Sequence, residues 1–338
     1  MSLARLRPSL LALAVALTAS ALLIAVAGEN PALALAALAQ GAFGSAYAWS
    51  EVGVHTCPLL LTGLAVAIAF RAGIWNIGAE GQLLVGAAMV AWLGSRLGSW
   101  PPVLATTAVL GAAALGGAAW AGIAGVLRTA RGVDEVISTI MLNFIALGLV
   151  GWLVHGPLME AAGAYPQTDA VAEAVRLPRL FSGYRVHAGL LLALLAAGGS
   201  YLLLFRTVLG FEMRAAGLNL VAARLAGLRT TGALLRALAI SGALAGLAGG
   251  IEVSAITFRL YDNFSPGYGF TAIAVALLGR LHPLGVVLAA LLFGALDVGS
   301  NAMQSVAGVS SVLVSAMQAI VILALLALEQ RRGTAATA

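Results

Sequence analysis

Apolar residues in this chain come in long blocks separated by short polar breaks, and the blocks have the length of membrane spans rather than of strands. Runs at 10–27, 58–70, 103–127, 132–150, 190–205, 237–251, 267–278, 284–296 and 309–328, with the run that follows the break at 72–82, give ten predicted helical segments. Residues 32–49 are also apolar but are interrupted by Gly41 and Gly44, and two readings stand: a helix along the membrane interface, anchored by Tyr47 and Trp49, or a further span. The run at 10–27 has two readings as well, an uncleaved first helix or a signal peptide ending at Ala25-Val26-Ala27; the spans that follow favour the helix. The expected fold class is an all-α membrane protein, a polytopic helical bundle of about ten transmembrane segments with broken helices, forming one transmembrane domain over 1–338.

The polar breaks assign sides. The most basic break in the second half is Arg206–Arg236, which contains Arg206, Arg214, Arg224, Arg229 and Arg236. Excess positive charge between spans marks the cytoplasmic side. Within it, Leu218–Leu228 is predicted as a short helix, capped by Asn219 and stopped at Gly227. A helix held there suits docking on a soluble partner; a solvated basic loop is the plainer reading. By parity both termini are cytoplasmic and the polar segment His155–Arg185 is external, either a receptor-docking surface or an ordinary solvated loop. With this topology 13 of the 18 arginines fall on the inner side.

Polar groups inside the apolar pattern are the candidates for chemistry. Asn76, Glu80 and Gln82 lie among Gly73, Gly78 and Gly81, where a helix is expected to break. Non-helical backbone at membrane depth is tolerated where it is buried in protein or lines water; a cytoplasmic turn beside Arg71 is the alternative. In 132–150, Asp134 is a predicted N-cap, and Glu135, Thr139 and Asn143 recur every fourth residue on one helix face. Such a stripe either faces a solute or bonds one helix to another. LAVAIAFR at Leu64–Arg71 and IAVALLGR at Ile273–Arg280 form a weak internal repeat, and each leads into a break, as in many transporters.

Composition narrows the function. The chain is 61% hydrophobic and 9% charged, against about 25% charged for soluble domains. Every basic residue is arginine, so a phosphate-binding P-loop lysine and a Schiff-base lysine are both excluded. One cysteine, Cys57, and four scattered histidines leave no metal-ligand pattern. No catalytic residue, metal or cofactor is expected on this chain. The charge of +5 reports topology and not nucleic-acid binding.

Four motifs carry a family resemblance. GFEMRAAGLN at 210–219, continued by Ala222-Ala223-Arg224 and Gly227-Leu228, resembles the coupling-helix region of ATP-binding-cassette (ABC) importer permeases of the branched-chain amino acid, ribose and nucleoside type. AGIWNIGAEGQLLVGA at 72–87, GVDEVISTIMLNFIALGLV at 132–150 and GFTAIAVALLG before Pro283 resemble the larger permease of nucleoside importers that use a receptor of the basic membrane protein family. The resemblance implies an ABC-importer permease fold in a bacterial inner membrane. It implies that Arg214, Gly217, Asn219, Ala222, Ala223, Arg224 and Gly227 fit a groove of a separate ATPase, which holds ATP and magnesium. It also adds weight to Asn76, Glu80, Gln82, Thr139 and Asn143 as groups along a translocation pathway. The implied partners are a second, related permease forming a heterodimer, the ATPase, an extracytoplasmic substrate-binding receptor and membrane lipid. A nucleoside is the implied solute, with a ribose-type sugar as the alternative. A rival class, a stand-alone secondary transporter, would use Glu80, Glu135 and Asp297 for coupling ions.

Overall fold

The computed structural model describes residues 18–310, with Leu313, Ala316, Met317, Ala319, Ile320 and Leu323. The described residues are helical apart from turns and loops, and the only β-pairing among them is two isolated bridges. Helix α1 covers residues 18–26 of the described part. Then follow α2 (Pro31–Phe43), α3 (Ala46–Arg71), α4 (Ala79–Gly94), α5 (Pro102–Arg131), α6 (Glu135–His155), α7 (Ala188–Arg206), α8 (Val208–Leu218), α9 (Leu220–Leu225), α10 (Thr230–Glu252), α11 (Tyr268–Leu278) and α12 (Pro283–Ala307). Six of these stretches are long and apolar enough to cross a membrane, namely α3, α5, α6, α7, α10 with its π-helical extension to Thr257, and α12. The protein is therefore an integral membrane protein of the polytopic helical class.

Several boundaries differ from those expected. Residues 32–49 are not one segment: α2 stops at Phe43, and Ala46–Trp49 begin the long α3. Pro58 does not start a helix but lies inside α3, where Thr62 Oγ1 bonds the Pro58 carbonyl at 2.7 Å. The predicted helix 218–228 is two helices meeting at Asn219, because α8 already occupies 208–218. The run predicted at 284–296 does not stop there; α12 carries it on through Asp297, Asn301 and Gln304 to Ala307. The predicted span 309–328 lies mostly outside the described residues, as do residues 10–17 of the run 10–27.

Two compact units divide the described chain. The first comprises Met1–His55 with Leu291–Ala338, the second Thr56–Ala290. In the first, Ile24, Ala34, Met303, Ala307 and Val309 form one apolar cluster, and Ala42, Val52 and Ala295 another. In the second, α10 lies against α5 and α4. The contact is made by small residues: a Cβ on Gly242 would overlap the carbonyl of Gly117, and one on Gly246 would overlap that of Ala113. In lipid there is no hydrophobic force to drive helices together, so close backbone approach of this kind supplies the packing energy.

Candidate functional site

The second unit is organised around the break between α3 and α4. Gly73 takes φ +78°, which a side chain would resist, and the chain then runs without helix to Gly78. Those residues leave backbone groups without helical partners, and side chains supply them. Asn76 is fully buried, and its Nδ2 donates to Ser241 Oγ of α10 at 2.8 Å and to Gln82 Oε1 at 3.1 Å. Its Oδ1 accepts from Gln82 Nε2 at 3.0 Å and from the Gly78 N–H at 2.9 Å. The Gly78 N–H must face an oxygen, which fixes the orientation of both amides. Ser241 passes its own proton to the Ala65 carbonyl at 2.7 Å.

Helix α6 closes the other side. Asp134 caps it, accepting from the Val136 N–H at 2.8 Å. The one-face stripe expected from the spacing is present: Glu135, Thr139 and Asn143 are all buried. Asn143 Oδ1 accepts from the Gly81 N–H at 2.8 Å and its Nδ2 donates to the Ile77 carbonyl at 2.9 Å. Thr139 Oγ1 donates to the Glu135 carbonyl at 2.6 Å and accepts from the Ile77 N–H at 3.3 Å. Glu135 forms an ion pair with Arg128 and accepts from the Trp75 N–H. Glu80, in the first turn of α4, accepts from the Gly269 N–H at the start of α11 at 2.6 Å. The structure thus brings Asn76, Gln82, Thr139 and Asn143 into one cluster and gives Glu80 a separate partner. Each of these side chains is buried and bonded to protein, which ties the broken backbone to α6, α10 and α11.

The second candidate region is α8–α9. Arg214 and Arg71 both stack on the Phe205 ring, at 5.2 and 5.4 Å from its centroid. Gly217 abuts the Arg71 carbonyl, with no room for a Cβ. Asn219 caps α9 as expected, its Oδ1 accepting from the Ala222 N–H at 3.0 Å, and Gly227 has φ +80°. Ala222, Arg224 and Gly227 are exposed, whereas Ala223 is only 5% exposed and faces inward. Ala223 is thus an inward spacer, while Arg214 is half-buried and Gly217, though exposed, packs its backbone against Arg71. Sequence reasoning missed the outward apolar side chains Leu218, Val221 and Leu225, which are 89, 68 and 85% exposed. Val221 and Leu225 are four residues apart on α9, a helical signal that the basic charge of this stretch obscured, and Leu218 ends α8 on the other side of Asn219.

The loop 156–187 is held from its far end. Glu160 accepts from Arg259 Nη1 at 2.7 Å and Gln167 Nε2 at 2.8 Å, and Arg259 also donates to the Thr168 carbonyl. The Gln167 hydrogen bond and the Arg259 charge hold the Glu160 carboxyl below its usual range. His187 caps α7, its Nδ1 accepting from the Gly189 N–H at 3.2 Å; burial and the nearby Arg185 charge lower its pKa to about 4. Among the described residues no group of three or more His, Cys, Asp or Glu side chains is placed to hold a metal.

Comparison with known proteins adds an independent line. A permease described as the Guanosine ABC transporter permease protein NupP, from Bacillus subtilis, is 38% identical over 327 residues, 95% of this chain and 93% of that protein. The Glucose ABC transporter permease protein TsgB13, from Haloferax volcanii, is 39% identical over 297 residues, 84% of this chain and 77% of its own length. A second Bacillus subtilis protein, the Guanosine ABC transporter permease protein NupQ, is 31% identical over 71% of this chain and 77% of its own length. No solved structure is significantly similar. The family model described as "Branched-chain amino acid transport system / permease component" matches residues 48–328, and the chain belongs to that permease family.

Proposed function

We propose that this chain is the transmembrane permease subunit of an ABC importer and that its solute is a nucleoside. The observation that carries the reading is the capped helix α9 with Val221 and Leu225 exposed on it and Leu218 exposed beside them at the end of α8, set between the span-length helices α7 and α10. Large apolar side chains on a helix outside the spans mark an interaction surface, and a helix laid in a groove is a common recognition mode. With Arg206–Arg236 on the cytoplasmic side, the occupant of that ridge is the ATPase. In this reading Asn219, Ala222, Arg224 and Gly227 meet the groove, and Arg214, Gly217 and Ala223 hold the helix in position.

The same proposal covers the finer assembly. About ten spans follow from the apolar runs, and both termini cytoplasmic with the loop 155–185 external follow from the distribution of arginines. A bacterial inner membrane, a second related permease, the ATPase with its ATP and magnesium, and an extracytoplasmic receptor complete the importer. The guanosine name of NupP, matched over nearly the whole chain, supports the nucleoside. The glucose name of TsgB13 supports a sugar as the second reading. The polar cluster of Asn76, Gln82, Thr139 and Asn143, together with Glu80 and its separate bond to Gly269, lies along the route in this proposal, as the frame that holds the α3–α4 break in one conformation.

A Val221→Asp substitution tests the docking surface. It places a charge on the ridge and leaves the interior untouched. Insertion and thermal stability of the subunit are expected to match the parent, while co-purification of the ATPase and receptor-stimulated ATP hydrolysis fall at least tenfold. Unchanged ATPase coupling for both Val221→Asp and Leu225→Asp would remove α9 from the docking surface.

A further inference from the structure

Arg71, the last residue of α3, and Arg214 of α8 line one cavity of about 290 Å³, which the turn between α11 and α12 borders at Leu281. All of these residues belong to the second unit. Backbone contacts hold the walls together. A Cβ on Gly217 would overlap the Arg71 carbonyl, and Arg71 Nε donates to the Leu281 carbonyl at 3.0 Å. Arg280 and Leu281 take φ +55° and +52°, a left-handed pair that side chains resist; such conformations concentrate at functional sites.

The charges in this cavity are not balanced. Arg71 and Arg214 share the Phe205 ring, yet neither forms an ion pair among the described residues. Arg214 Nε is buried, so a ligand meets the Nη edge of that group. The Nη nitrogens of both arginines are accessible and donate to nothing among the described residues. No carboxylate lines the cavity, and Glu212, the one acid on α8, is paired with Arg236 at 3.1 Å. Arg280 borders the cavity as well but is engaged within the protein, and it is not counted as a donor. Like charges placed together disfavour one another, and an anion between them relieves this. Phe70, Leu218 and Leu281 make the remaining wall apolar.

We propose that Arg71 and Arg214 form a phosphate site at the inner membrane surface, filled by the phosphodiester of an anionic lipid headgroup or by free phosphate. The paired donors of a guanidinium match two phosphate oxygens. Arg71 ends a span-length helix, which sets it at the level of the headgroups, and basic pockets between span ends on the cytoplasmic side suit anionic lipids. The apolar wall beside the two charges can take the first part of an acyl chain, which favours the lipid over the free ion. A phosphate held there ties α8 to the end of α3 and so steadies the α8–α9 pair that meets the ATPase. The inner-side placement and this consequence rest on the permease reading above; the binding itself does not.

The test titrates the full-length chain, purified in an uncharged detergent with the subunits that accompany it. Short-chain phosphatidylglycerol, short-chain phosphatidylcholine and inorganic phosphate are added separately while the thermal midpoint is followed. Phosphatidylglycerol is expected to raise the midpoint saturably, and phosphatidylcholine to act at least tenfold more weakly. Arg214→Gln should weaken the phosphatidylglycerol response at least tenfold, with Arg214→Lys recovering part of it. Arg229→Gln, which removes an exposed arginine outside the cavity, should leave the response unchanged. Arg214 gives no hydrogen bond to the described protein, so Arg214→Gln loses only the ring contact and is expected to fold. Native mass spectrometry of the parent chain is a second measurement, in which phosphatidylglycerol should be retained over phosphatidylcholine from a mixed bilayer. If inorganic phosphate alone reproduces the shift and displaces the lipid, the free ion is the ligand and the site stands. A response shared equally by the two lipids, or equal losses for Arg214→Gln and Arg229→Gln, would overturn it. No response to any of the three would also overturn it and leave the two arginines to a carboxylate of the ATPase. The titration needs neither ATP nor solute, so failure of the importer reading would appear in transport assays and leave this result standing.

Discussion

Asn143 shows how a side chain can be polar, intramembrane and fully used by the protein. Its two amide atoms bridge the Gly81 N–H and the Ile77 carbonyl across the α3–α4 break. Asn143→Leu leaves both backbone groups buried without partners, at about 1–3 kcal/mol each. The expected result is a loss of thermal stability and of assembly that accompanies any loss of uptake; uptake lost at unchanged stability would instead assign Asn143 a direct contact with solute. His187 makes a prediction of a different kind. Its folded-state pKa of about 4 lies below the ordinary 6.5, because burial and Arg185 disfavour the cation. The unfolded chain therefore binds the extra proton first. The stability held by neutral His187 is complete above pH 6.5 and is lost as pH falls from 6.5 towards 4. His187→Asn keeps an acceptor for the Gly189 N–H and removes the titration, so its thermal midpoint in detergent should fall less over that window than the parent's. Equal slopes would show that His187 is not the group responsible.

At the scale of elements, the parts of the fold legible in the sequence were those with a local cause. Asp134 and Asn219 cap the helices they were expected to cap, and the spacing of Glu135, Thr139 and Asn143 put them on one buried face. The break at 72–78 was visible because glycines and amides interrupt an apolar run. What was not legible depended on distant partners. Pro58 reads as a helix start, yet it sits inside α3, whose helix continues through it because a proline in a packed span can be supported by its surroundings. The Asn76–Gln82–Ser241 bonds join residues 165 positions apart, and no local pattern announces them. The glycine seam is of the same type: an alanine-rich chain hides which glycines are pressed against backbone. Gly117 and Gly122 on α5 separate the two cases. A Cβ at Gly117 would overlap the Gly242 carbonyl, while Gly122 has open space around it. Gly117→Val is expected to part α5 from α10 and prevent stable expression, and Gly122→Ala to be neutral or slightly stabilising. Comparable yields of the two variants in detergent would contradict the seam. Ala223 on α9 belongs with Gly117: buried, it reads as a spacer, so Ala223→Trp should lower stability by overpacking before it affects docking.

For the whole molecule, the arginines tie orientation to assembly. A chain without lysine has assigned every positive charge to a side chain that is always protonated, so the topological bias does not vary with pH. Single cysteines at Arg224 and Asp169, in the Cys57→Ala background, make the proposed orientation testable: an impermeant reagent applied to intact cells should label the Asp169 site and spare the Arg224 site. The opposite pattern would invert the topology and take α9 away from any cytoplasmic ATPase. Stoichiometry follows from the same surfaces. One chain supplies one exposed α9 ridge, and the match to both NupP and NupQ, two permeases of one organism under one substrate name, supports pairing with an unlike partner. Co-expression with a neighbouring permease gene should yield a complex containing both membrane chains in equal amounts, and receptor-stimulated ATP hydrolysis should require both. A complex that couples ATP hydrolysis to transport with this membrane chain alone would show instead that two copies of the same ridge suffice.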